Sequence, residues 1–148
     1  MDNLDRVLLE TLSLDGRTSY AELGRKIGLT RASVKERVEK LKDEGIIESF
    51  TITINPERMG KLVSAFFEID VEPWCLDEVA RTLGEEEFVE NMYLMTGSST
   101  LHMHALLEDM DALEHFVLER IYSLKGITRV QTHLILKRYK SRKGGLRL

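Results

Sequence analysis

Residues 18–50, TSYAELGRKIGLTRASVKERVEKLKDEGIIESF, leave few folds open to this chain. Ser19 followed three residues later by Glu22 is the signature of a capping box, and it starts a helix that runs to Ile27. Gly28 ends that helix, and Thr30 caps a second one, on which Val34, Val38 and Leu41 recur at helical spacing as a core face. Two helices joined by about three or four residues containing Gly form a helix-turn-helix, whose second helix enters the major groove of DNA. The outward side of that second helix carries Arg31, Ser33, Lys35, Arg37 and Lys40. From Ile46 to Ile54 apolar and polar residues alternate, which predicts a strand serving as the wing of a winged helix.

On either side of this stretch the pattern is equally regular. Leu4, Val7, Leu8 and Leu12 share a face of a first helix over about residues 4–14, with Asn3 available as its cap and Asp15-Gly16 as the turn after it. Beyond Asn55-Pro56 the period changes. Residues 62–71 (LVSAFFEIDV) read as a strand apolar on both faces for most of its length, and 76–84 as a short helix. Strands at 88–95 and 100–107 are joined by Thr96-Gly97-Ser98-Ser99. A helix over 110–124 places Leu113, Phe116, Val117, Arg120, Ile121 and Leu124 at helical spacing, and a last strand follows at 127–136. The order β-α-β-β-α-β is the ferredoxin-like split motif, so the fold class is α+β. The chain divides into a winged helix-turn-helix domain (1–54), a linker (55–61), a ferredoxin-like domain (62–139) and a basic tail (140–148).

In such a sheet the helices cover one face only. Leu101, Met103, Ala105 and Leu107 belong to one face, while His102, His104 and Leu106 belong to the other, together with Phe66 and Ile135. That mixed second face needs cover. An identical sheet is the simplest cover, at about 25 cal/mol per Å² of apolar area.

Composition sets the class and the setting. A chain of 148 residues with 43% hydrophobic and 31% charged side chains is an ordinary globular sequence of one or two domains. No run of 18 apolar residues predicts a membrane span, and the opening MDNLDRVLLETL is too acidic for a signal peptide. The single cysteine, Cys75, permits no internal disulfide and fits a cytoplasmic setting. The net charge of −4 is unevenly spread: −1 over residues 1–55, −9 over 56–136 and +6 over 137–148. Phosphate contact depends on local placement, and the basic residues of the first section cluster between Arg25 and Lys42.

The layout resembles the Lrp/AsnC family of transcription regulators over most of the chain. The resemblance rests on Leu4-Asp5 with Leu8-Leu9, Asp15-Gly16-Arg17, Leu23, Gly28-Leu29-Thr30, Arg37-Val38, Leu41 and Gly45-Ile46-Ile47. Asn55-Pro56 with Gly60, Thr96-Gly97 and Gly126-Ile127 continue it. It implies a DNA-binding N-terminal domain and a C-terminal domain that dimerises through its sheet. It also implies homodimers that assemble into tetramers, octamers or larger rings, with small effectors, often amino acids, between dimers. No cofactor and no metal are implied.

For double-stranded DNA the candidates are Thr30, Arg31, Ser33, Lys35, Arg37 and Lys40. The N-terminal part of the helix meets base edges, and Arg31, able to fork onto guanine, is the specificity candidate. Arg37 has a second reading, as a brace paired with an acid. For the effector the family pattern Gly-x-x-Asp stands here as Gly97-Ser98-Ser99-Thr100, with Thr128 and Thr132 at positions that line the family pocket. A hydroxyl at Thr100 does not supply the charge that a carboxylate offers an α-ammonium group. The same polar residues also fit a plain turn and exposed strand positions. His102 and His104 suggest a metal, yet zinc needs more ligands than this pair, and an interface role fits them better. Glu85-Glu86-Glu87 reads as a solvated loop, and Trp74 as an anchor against the sheet or a neighbouring subunit. The basic tail reads either as a disordered end or as a phosphate or subunit contact. Two other functions share this layout. One is an enzyme similar to sirohaem decarboxylases, with His102 and His104 near a porphyrin; the other is an architectural DNA-binding protein of low sequence preference. No nucleophile–base set or phosphate-cradling loop points to catalysis.

Overall fold

The computed structural model describes residues 1–97 and 100–139, which form two compact units divided between Ile54 and Asn55. Ser98, Ser99 and the tail 140–148 lie outside the described residues. In the first unit α1 (Asn3–Leu14), α2 (Tyr20–Ile27) and α3 (Arg31–Asp43) pack around Leu8, Leu23, Val34 and Val38. The cap of α1 is Asp2 rather than Asn3. Asp2 accepts from the Asp5 N–H at 2.9 Å, and the Asp2 N–H donates to the Asp5 carboxylate at 2.8 Å. Ser19 and Thr30 cap α2 and α3 as their sequence positions predict.

The close approach of α2 to the start of α3 depends on Gly24. A Cβ there would lie 2.4 Å from the Leu29 carbonyl oxygen, far inside contact distance, and the Leu29 N–H donates to the Gly24 carbonyl at 2.9 Å. Gly28 follows at φ 72°, a left-handed conformation that glycine adopts without a Cβ penalty. Past α3, Ile46 and Ile47 both donate to the Leu41 carbonyl, and Ile47 packs on the core. The wing strand does not form: no strand is present over 46–54, and Phe50, Ile52 and Ile54 are exposed. An alternating pattern becomes a strand only with a neighbour to hydrogen-bond, and the described residues offer this segment none.

The second unit holds a four-stranded antiparallel sheet in the order β2-β3-β1-β4, built from β1 (Val63–Val71), β2 (Val89–Leu94), β3 (Thr100–Leu107) and β4 (Ile127–Leu134). Helix α4 (Leu76–Gly84) and α5 (Met110–His115) supply the side chains that cover one face. Phe67 of β1 meets Phe116 edge-on at 5.6 Å, and Phe88 meets it at 4.7 Å. After α5 the chain widens into a π turn over Phe116–Ile121. The wider turn keeps both Phe116 and Ile121 buried and sends Arg120, expected on the core side, outward to pair with Glu86. Glu86 is therefore not simply solvated. Trp74, 79% exposed, anchors nothing within its own chain's described residues. No helix of the described residues is long and apolar enough to cross a membrane.

Candidate functional site

Two places concentrate polar chemistry, one in each unit. The first is the exposed side of α3. Thr30 accepts from the Ser33 N–H at 3.1 Å and its hydroxyl meets that of Ser33 at 2.9 Å, so both hydroxyls belong to the cap. The Arg37 guanidinium turns back to α1 and donates to Asp2 and Asp5, 2.8 Å to each. These contacts raise the pKa of Arg37. The carboxyl of Asp2 is held below its ordinary value, first by the Asp5 N–H and then by Arg37. Of the two readings of Arg37 the geometry supports the brace.

Farther along, Lys42 pairs with Glu39 at 3.0 Å and Lys40 stands 3.7 Å from Glu44. Arg31 and Lys35 differ: both are exposed on the first turns of α3, and neither has an acidic partner among the described residues. An open cleft of about 570 Å³ runs along this edge, between the start of α1 and the side of α3 that carries Ser33, Glu36, Arg37 and Lys40.

The second place is one end of the sheet, where three strands come into register at Asp70. Thr100 pairs with Asp70 on one side and Arg129 on the other. The Thr100 hydroxyl donates to Asp70 Oδ1 at 2.7 Å, and Arg129 Nε donates to Asp70 Oδ2 at 2.6 Å. Thr128 donates to the Asp70 carbonyl at 3.3 Å. Arg129 foremost, with Thr100, holds the Asp70 carboxyl below its usual range. So the charge that position 100 lacks stands beside it on β1. The register makes this pairing visible; Asp70 lies 30 residues before Thr100 in the chain, and spacing alone does not link them.

Of the other candidates, Gly97 lies just before β3 at φ 110°. Thr132 pairs with Phe67, on the face opposite Thr100, so a single chain does not bring these two threonines together. Along the open face His104 stacks on Phe66 at 5.1 Å and hydrogen-bonds Ser64 at 2.8 Å. Partial burial and the nearby Arg138 lower its pKa. His102 lies 4.0 Å from Glu68, and His133 pairs with Phe66 on β4. Among the described residues no group of three or more metal-ligating side chains occurs.

A helix-turn-helix unit and a ferredoxin-like sheet unit in one chain are the build of a DNA-binding regulator with a sensing domain. Residues 1–42 match the AsnC-type helix-turn-helix domain, and residues 64–144 the Lrp/AsnC ligand binding domain. The chain is 35% identical to the HTH-type transcriptional regulator LrpA of Pyrococcus horikoshii, over 95% of this chain and 99% of that protein. The structure of E. coli AsnC superposes with a TM-score of 0.90 at 30% identity, covering 97% of each chain. The leucine response regulatory protein LrpA of Mycobacterium tuberculosis does so with 0.82 at 32%, covering 98% of this chain and 99% of that one. The chain belongs to the Lrp/AsnC family of helix-turn-helix transcriptional regulators.

Proposed function

We propose that the protein reads paired DNA half-sites through α3, one helix from each copy of a homodimer or larger ring. The observation that carries this is the exposed placement of Arg31 and Lys35 on the first turns of α3, neither paired with an acid among the described residues, in a chain whose net charge is −4. In this reading Arg31 forks onto guanine, Lys35 and Lys40 contact phosphates, Thr30 and Ser33 fix where the helix begins, and Arg37 fixes its stance. A small effector acts at the end of the sheet formed by Gly97, Thr100 and Thr128, with Asp70, held ionised by Arg129, as the carboxylate that an ammonium group would share with that guanidinium. Thr132, from a neighbouring chain, completes the lining. The site of action is the cytoplasm, where the genome is.

Selection of genomic fragments by the purified full chain, with and without a panel of amino acids, tests this. Recovered fragments are expected to share a paired motif, to be released as salt rises, and to change in yield with at least one amino acid. Equal retention of all fragments would favour an architectural binder. Tetrapyrrole binding without salt-dependent DNA binding would favour the decarboxylase-like reading. A selection indifferent to every amino acid would overturn the proposed effector class.

A further inference from the structure

Helix α3 turns Val34, Val38 and Leu41 into the core. At about 100° per residue, the positions farthest from that core are Ala32, Glu36, Glu39, Lys40 and, in the last turn, Asp43. Within the N-terminal half, which meets base edges, this leaves Arg31, Ala32, Lys35 and Glu36 free to project, because the Ser33 hydroxyl is engaged by Thr30 and Arg37 by two acids. Glu36 is the odd member of the set. Phosphate attraction favours cations on such a surface, and a carboxylate there weakens non-specific affinity. Glu39 and Glu44 are offset by Lys42 and Lys40. Glu36 is exposed and has neither a hydrogen bond nor an ion pair among the described residues.

We propose that Glu36 is a base-reading residue that selects cytosine, which rests on α3 being the recognition helix. In the major groove cytosine offers only its N4 amino donor, and a carboxylate only accepts. Guanine and thymine turn acceptors toward the same place, and adenine sets N7 beside its amino group, so each repels the charge. Glu36 thus discriminates mainly by what it rejects. Ala32, one turn nearer the N-terminus, is small enough to let the helix sit close and to touch a thymine methyl.

The test is selection of duplexes from a random pool by the full chain, as wild type, Glu36→Gln and Glu36→Ala, at one fixed salt concentration. Wild-type sites should hold a C·G pair at one position of each half-site, with a loss of about tenfold or more when it is replaced. Glu36→Gln should move that position toward adenine, since a side-chain amide pairs with N6 and N7. Glu36→Ala should accept all four bases there while overall affinity holds or rises, a negative charge having left the interface. Unchanged preferences in both variants overturn the proposal, as does a lowered melting temperature of either one, which would make Glu36 a structural residue. Wild-type protein that selects no duplex at all would instead overturn the reading of α3 itself.

Discussion

The Arg37 guanidinium spans the two acids that cap α1 reciprocally, so one side chain fixes both the start of α1 and the angle of α3 against it. Removing it leaves Asp2 and Asp5 facing each other without a counter-ion. Arg37→Ala should therefore lower the melting temperature of the full chain and weaken binding to all DNA sequences alike, by tilting the helix. The pH dependence has a definite sign. Asp2 is lowered below 3.8 in the folded state, so its contribution is complete above that value and disappears as the pH falls through the folded value. In Arg37→Ala one cause of that depression is gone, and thermal melts below pH 4 should fall less steeply than in wild type. Arg31 is the opposite kind of residue, exposed and with no side-chain hydrogen bond or ion pair among the described residues. Arg31→Ala should leave the melting temperature unchanged, cost about 1–3 kcal/mol at one operator position and relax specificity there, as measured by competition binding.

Among the elements, α2 and α3 were the most legible, because caps, apolar spacing and turn glycine agree in a stretch whose contacts are local. The tight crossing carries a cost that spacing does not reveal. Gly24→Ala forces a methyl group against the Leu29 carbonyl and should destabilise the chain by about 1–3 kcal/mol in chemical denaturation. Alternation over 46–54 does not decide a wing strand, since it reports side-chain faces, while a strand also requires a partner backbone. The core of the second unit followed from pattern too, except at the π turn, where one extra residue per turn moved Arg120 outward. Least legible was the Asp70 corner, which exists only because register sets Asp70, Thr100 and Arg129 side by side. The departure at Thr100 was readable, and the neighbouring carboxylate was not. If Asp70 is the ammonium partner, Asp70→Asn should abolish effector binding in calorimetry, whereas Thr100→Ala should only weaken it. Equal binding by wild type and Asp70→Asn would move the site elsewhere.

At the scale of the whole molecule, charge and geometry divide the work. The helix-turn-helix unit is nearly neutral over residues 1–55, and few cations of α3 lack an acidic partner, so in the proposed reading one copy alone has little grip on phosphate. The section from 56 to 136 carries −9 and is repelled by DNA, which in the proposed reading favours approach through α3. In the proposed reading specific binding depends on pairing recognition helices, and the open sheet face with Phe66, His104 and His133 is where a second copy would add cover. Paired reading has a geometric consequence: two recognition helices held by protein must meet half-sites on the same side of the duplex. The decisive measurement is the affinity of the full chain for its selected site after inserting base pairs between the half-sites. Inserting about five should cost at least tenfold, and about ten should restore much of the loss, as one turn returns the second half-site to the same face. An affinity indifferent to both insertions would contradict paired reading by α3.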